Sequence, residues 1–163
     1  MTTIKIKLLL LLIAFAITSC GFQLRGSYSI PYQAVYVQAD VDSRVGRALK
    51  KKIDRKYKDM LVDAASAAEV VINIVTENST RSISVLSNSG SVDEFELGYS
   101  VQYKFYSPQD ESSALSNQII LSRKITFSDQ NIASSSSEER SLITDMADEG
   151  ATRILVRLSR GGI

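Results

Sequence analysis

The stretch Phe95-Glu96-Leu97-Gly98-Tyr99-Ser100-Val101-Gln102-Tyr103-Lys104-Phe105-Tyr106 alternates without a break. Phe95, Leu97, Tyr99, Val101, Tyr103 and Phe105 fall on one face of an extended chain, and Glu96, Gly98, Ser100, Gln102, Lys104 and Tyr106 fall on the other. A period of two is the pattern of a strand with one buried and one wet face. Burying one large apolar side chain is worth about 1.5–3 kcal/mol, so a slip by one residue would forfeit on the order of 10 kcal/mol. The register of this strand is therefore strongly fixed, and the sheet it belongs to needs amphipathic cover on one side only.

Working outward, Ser87-Asn88-Ser89-Gly90-Ser91 is a cluster of turn residues just upstream. Before it, Val70, Ile72 and Ile74 alternate within Val70 to Thr76, and the chain stays strand-like through Arg81 to Leu86, after a break at Asp63 to Ala68. Earlier still, Asp42 or Ser43 can cap a helix running to about Lys58, with the narrow apolar stripe Val45, Leu49, Ile53 and Tyr57. Everything around that stripe is charged, which places the helix on the surface of the core. A first strand, Ala34 to Ala39, precedes it. Downstream, Pro108 and the polar run Gln109 to Ser116 read as a connection, and Ile119, Leu121, Ile125 and Phe127 restore the two-residue period, interrupted on the apolar face by Arg123. Ser136 followed three residues later by Glu139 has the spacing of a capping box, so a second helix is expected from about Glu138 to Leu158, ending near Gly161-Gly162. Ile143, Met146, Ala151, Ile154 and Leu158 form its apolar face.

The expected fold is α+β: a four-stranded antiparallel or mixed sheet with two amphipathic helices packed on one face, in the order β-α-β-β-β-α. The opposite face, with Gln102, Lys104, Ser122 and Lys124, is left for water or a polar partner.

The N-terminus has a different character. Lys5 and Lys7, the apolar run Leu8 to Ile17 and the small-residue exit Thr18-Ser19 describe a bacterial secretory signal. The run is too short for a spanning helix, which needs about 20 apolar residues. Ile17-Thr18-Ser19-Cys20 matches the lipobox, at which a cysteine is acylated before the leader is removed. A cleaved but unlipidated signal is the competing reading. It leaves unexplained why the sole cysteine sits at the one position where acylation needs it. With no second cysteine, an internal disulfide is excluded. The resulting plan is a signal peptide over residues 1–19, a lipidated tether over 20–33 and one domain over 34–163. One acyl chain anchors only marginally; bacterial lipoproteins that this start resembles carry N-acyl and S-diacylglycerol groups, here expected on Cys20. In those proteins aspartate after the cysteine signals inner-membrane retention, so Gly21 favours the outer membrane.

Removing residues 1–19 from 163 leaves 144, enough for one core, and takes Lys5 and Lys7 with it, so 19 basic residues become 17 against 18 acidic. No global field attracts nucleic acid. Histidine and tryptophan are absent. Imidazole general bases, Ser-His-Asp or Cys-His nucleophile systems and His/Cys zinc sites are thus unavailable, and no metal or cofactor is expected. Asp93-Glu94, Asp110-Glu111 and Glu138-Glu139 fall at expected turns or helix starts, where solvated charge is the ordinary explanation. An enzyme is disfavoured.

Three ordered segments carry a resemblance. Cys20-Gly21-Phe22-Gln23-Leu24-Arg25-Gly26, the turn and long strand Ser84 to Phe105, and the ending Arg123 to Leu158 with its Arg153-Ile154-Leu155-Val156-Arg157-Leu158 helix together resemble the LPS-assembly lipoprotein family LptE. The resemblance runs from Cys20 to Leu158. It implies an outer-membrane lipoprotein on the periplasmic side that plugs the LptD β-barrel translocon and assists its assembly during lipopolysaccharide transport, with lipopolysaccharide itself as a ligand. In such members basic residues near the turn and on the following strand meet the ligand. Here the turn lacks one, Arg81 lies nearby, and Arg123 and Lys124 occupy the following strand. The cation-rich first helix, with Lys50, Lys51 and Arg55, is a second candidate for the lipid A phosphates; the competing reading is a solvated helix face.

Two other function classes fit the anchor and size. One is a periplasm-facing lipoprotein that binds peptidoglycan or activates a cell-wall synthase, told apart by which partner co-purifies. The other, a carboxylate-dependent hydrolase, needs two buried acids facing a cleft, and the sequence shows none.

Overall fold

The computed structural model describes residues 29–88, 90–126 and 132–161. Cys20, the expected signal and most of the expected tether lie outside the described residues. In chain order the elements are β1 (Val35–Gln38), α1 (Arg44–Lys56), a single 3₁₀ turn (Ala65–Ala67), β2 (Val70–Leu86), β3 (Val92–Ser107), β4 (Asp110–Thr126) and α2 (Ile132–Leu158). The order is the expected β-α-β-β-β-α, and the strands form one mixed sheet, β1-β2-β3-β4. β1 runs parallel to β2, a pairing that requires a crossover, and α1 supplies it. The two later pairs are antiparallel.

Both helices cover the same side. Val45, Leu49 and Ile53 of α1 and Met146, Ala147, Ala151, Ile154, Leu155 and Leu158 of α2 are buried against Leu97, Tyr99, Val101, Tyr103 and Phe105 of β3. Gly150 marks where three elements meet: a Cβ placed on it would lie 3.7 Å from Val45 and 3.8 Å from Tyr99. On the other side Gln102, Ser122 and Lys124 are exposed, as the alternation requires. Tyr106 differs from expectation. It lies on the outer face yet is buried, opposite buried Val71, and its hydroxyl donates to Gln38 Oε1 at 2.8 Å.

Three further differences from the sequence pattern have physical reasons. β2 is one continuous strand, but a bulge at Val75 switches its faces, because the register jumps from Ile74↔Tyr103 to Thr76↔Gln102. Val70, Ile72 and Ile74 point inward before it; Glu77, Ser79, Arg81 and Ile83, opposite Val101, Tyr99, Leu97 and Phe95, share the inner face after it. β4 begins at Asp110 rather than near Ile119: the expected connection shrinks to a turn at Pro108-Gln109, since Ser107 pairs with Asp110. Its first residues lie exposed at a sheet edge, so no apolar period announces them. Finally, α2 starts at Ile132, not at a capping box, and Ser136 sits inside the helix, its carbonyl accepting from Arg140 Nε at 3.2 Å. Serine in a helix costs only about half a kcal/mol relative to alanine, too little to stop it. Phe127 lies outside the described residues.

β1 reaches only Val70–Asn73 of its neighbour. From Ile74 to Leu86, β2 is an open sheet edge among the described residues. The Ser87–Ser91 turn forms as expected, with Gly90 at φ 85°.

Candidate functional site

The N-terminus of α1 is held by a carboxylate from the sheet. Ser43 caps the helix, its Oγ accepting from Gly46 N at 2.8 Å, and donates in turn to Glu77 Oε2 at 2.6 Å. Glu77 also accepts from Arg44 N (3.1 Å) and Val45 N (3.4 Å), two donors that the helix itself leaves unpaired, and from Tyr99 Oη at 2.7 Å. The helix dipole favours a negative charge at this end, and α1 has no acid of its own in its first turn. Glu77 therefore supplies from β2 what the helix lacks. Sequence reading missed this residue, because only the bulge at Val75 turns it inward.

Tyr99 is almost fully buried, and burial, reinforced by the hydrogen bond to Glu77, raises its phenol far above the ordinary value of 10.0. Burial also raises Tyr103, Tyr106 and Tyr57. A phenol held protonated in the fold contributes stability that is complete below the unfolded value and is lost as pH climbs from there towards the folded one. The protein should accordingly destabilise above about pH 10. Phenolate absorbance of the native protein should titrate later than in guanidinium; coincident curves would contradict this placement of the phenols.

The five cations expected to meet a ligand do not form one site. Arg123 and Lys124 are neighbours in β4 and so point to opposite faces of the sheet. Arg123 shares the helix side with Leu97 and donates to Glu149 Oε2 of α2 at 2.5 Å, a carboxylate it divides with Arg153. Lys124 stands on the open face, 3.6 Å from Glu94 and largely exposed. Lys50, Lys51 and Arg55 are exposed on α1, beyond the helical layer. Arg81, the cation nearest the turn, lies 3.7 Å from the centre of the Phe95 ring and 3.3 Å from Glu139.

These contacts organise surfaces, not a reaction. A polar recess of about 260 Å³ lies beside Asp40, Asp42 and Glu77, but Glu77 already takes four hydrogen bonds there. Among the described residues no group of three acids, cysteines or histidines is placed to hold a metal ion. A groove of about 250 Å³ between the helices is lined by Arg44, Arg47 and Lys51 on one side and Thr144 and Asp148 on the other.

Residues 32–158 match the sequence profile described as LptE: Lipopolysaccharide-assembly. Among solved structures, the chain is similar to the uncharacterized lipoprotein B of Nitrosomonas europaea, at 32% identity over 85% of this chain and 90% of that one, with a TM-score of 0.71. The rare lipoprotein B of Shewanella oneidensis shares the fold at 23% identity, covering 78% and 94% of the two chains with a TM-score of 0.67. A minor lipoprotein of Acinetobacter baumannii does so at 14% identity over 81% and 94%, with a TM-score of 0.62. No curated protein matches.

Proposed function

The chain belongs to the lipopolysaccharide-assembly family LptE, and from that premise we propose that it is an outer-membrane lipoprotein, acylated on Cys20, that plugs the LptD barrel and assists its assembly. The family is not enzymatic, in keeping with a chain that has no histidine. The observation that carries the reading is the match over the whole folded domain. The architecture supports it: the sheet and both helices enclose one core running from Ile30 to Leu158 among the described residues. Large barrel lumens are polar, and a plug for one needs a hydrophilic exterior. Here the open sheet face presents Gln102, Lys104, Gln118, Ser122 and Lys124 around exposed Ile120.

The anchor itself is tested by mass spectrometry of the protein isolated from membranes, which should show N-acyl and S-diacylglycerol groups on Cys20. The partnership is tested by detergent extraction of the full chain, which should bring down an outer-membrane barrel. Recovery of a cell-wall synthase in its place would overturn the reading. Lipopolysaccharide contact rests on Lys124, the candidate that faces away from the helices and has only a weak surface ion pair. Lys124→Glu should lower lipopolysaccharide retention severalfold without changing the melting temperature, and unchanged retention would remove Lys124 from the ligand's path. Lys50, Lys51 and Arg55, the other candidates, are exposed on α1, away from Lys124.

A further inference from the structure

The exposed side of α1 carries a straight ridge of cations, of which Arg44, Arg47 and Lys51 also line the groove facing Asp148 of α2. Arg44, Arg47, Lys51 and Arg55 follow one another at spacings of three and four residues, so they stack along one side of the helix, and Lys58 continues the series just past its end. All five are exposed. Among the described residues none of the four in α1 lies within ion-pair distance of a carboxylate; Lys52, at the edge of the ridge, is the one that reaches α2, at Asp148. From Arg44 to Arg55 the line measures about 16 Å, with four positive charges against one acid, Asp54, which is exposed beside Arg55 and makes no ion pair with the ridge among the described residues.

This arrangement costs the helix stability. Like charges three and four residues apart repel, and cations in the first turn oppose the helix dipole. Glu77 offsets that cost at the N-terminus but reaches none of the outward guanidinium groups by an ion pair. The overall charge of the chain is close to zero, so the ridge is a local feature and not part of a general excess of base.

Its position relative to the chain's start identifies what it meets. The polypeptide enters the domain beside the far end of α1: Val35 N donates to Met60 O at 2.8 Å and Val62 N to Val35 O at 3.0 Å, which ties the first strand to the segment that leaves the helix. Eight residues, 21–28, separate the anchor position from the described domain, a reach of at most about 30 Å. The helix is about 20 Å long. A chain tethered at Cys20 thus holds α1 within reach of the lipid surface, and a line of exposed cations is complementary to a plane of anionic headgroups.

We propose that the Arg44-Arg47-Lys51-Arg55 ridge lies on the anionic phospholipid headgroups of the leaflet that holds the anchor, orienting the domain on the bilayer. The inference rests on the anchor and not on the barrel partnership, so the two fail separately. The test uses residues 20–163 with Cys20→Ser, which removes the acyl groups but leaves every described core residue in place. The probe is phosphatidylcholine vesicles with and without phosphatidylglycerol. Binding is expected only where phosphatidylglycerol is present, and it should fall with added salt. Lys51→Glu with Arg55→Glu should weaken it at least about thirtyfold, at about fivefold for each cation lost, with the two acids introduced adding repulsion. Lys104→Glu with Gln102→Glu and Ser122→Glu, the same total charge change on the opposite face, should leave most of it. Circular dichroism and melting should be unchanged in both variants.

Equal binding to both vesicle types, or equal losses from the two charge changes, would overturn the proposal. So would vesicles left unbound while the Lys51/Arg55 reversal, made in the acylated full chain, abolishes recovery of its protein partner; the ridge would then fit an acidic protein surface.

Discussion

Replacing Glu77 with alanine is expected to lower the unfolding free energy by about 3 kcal/mol, read as a shift of the urea midpoint at constant slope. The size follows from what is left behind. Tyr99 Oη is buried and loses its acceptor, Ser43 Oγ loses the oxygen it donates to, and the amides of Arg44 and Val45 lose their only side-chain partner. Each bond to a charged group is worth about 1.5–3 kcal/mol, but Glu77 is only half-buried and water recovers part of the loss at the two amides. Glu77→Gln should cost less, since an amide oxygen still accepts while the charge at the helix end is gone. Combined with Tyr99→Phe, the alanine variant should cost less than the sum of the two singles, because they share one bond. Strict additivity, or a loss below 1 kcal/mol for Glu77→Ala, would mean that the carboxylate does not hold the helix to the sheet.

Truncating Phe105 to alanine should be as damaging or more so, at about 3–5 kcal/mol. The ring is fully buried, packs edge-on against Tyr103 with centroids 5.2 Å apart, and sits where β3 lies between β2 and β4, opposite Ile72 and Leu115. Domains of this size are stable by about 5–15 kcal/mol, so the variant is expected to be folded at low temperature and to melt early. Gln102→Ala on the outward face should stay within about 0.5 kcal/mol. Urea titration of both decides the register directly: comparable losses at Phe105 and Gln102 would mean that the strand faces the other way.

Phe95 to Tyr106 made the architecture legible because every second residue is apolar and because burying them outweighs any alternative register. The α1 stripe Val45, Leu49, Ile53 was equally plain. What escaped the sequence lies where local pattern and tertiary role part company. The first half of β4 is hydrogen-bonded to β3 but buries almost nothing, so its polar residues look like a loop. Ser134 to Ser137 looks like a helix start because serine is a good cap, yet the helix simply passes through. Glu77 is a charged residue in a polar run until one extra residue at Val75 turns it towards α1. The cations were visible one by one, and Arg123 and Lys124 looked like a pair; only their alternation across the sheet separates them.

The short first strand has a consequence for how this molecule behaves in a crowd. Since β1 stops at Gln38, most of β2 is left unpaired by the described residues and offers a row of amides and carbonyls to any chain that comes alongside, the usual invitation to fibrous self-stacking. Kinks at Val75 and again beside Ser84, where the register breaks a second time, prevent a straight strand from lying flush along it, and Glu77, Arg81 and the hydroxyls between them would have to give up water to try. The molecule can thus leave an edge bare without polymerising through it.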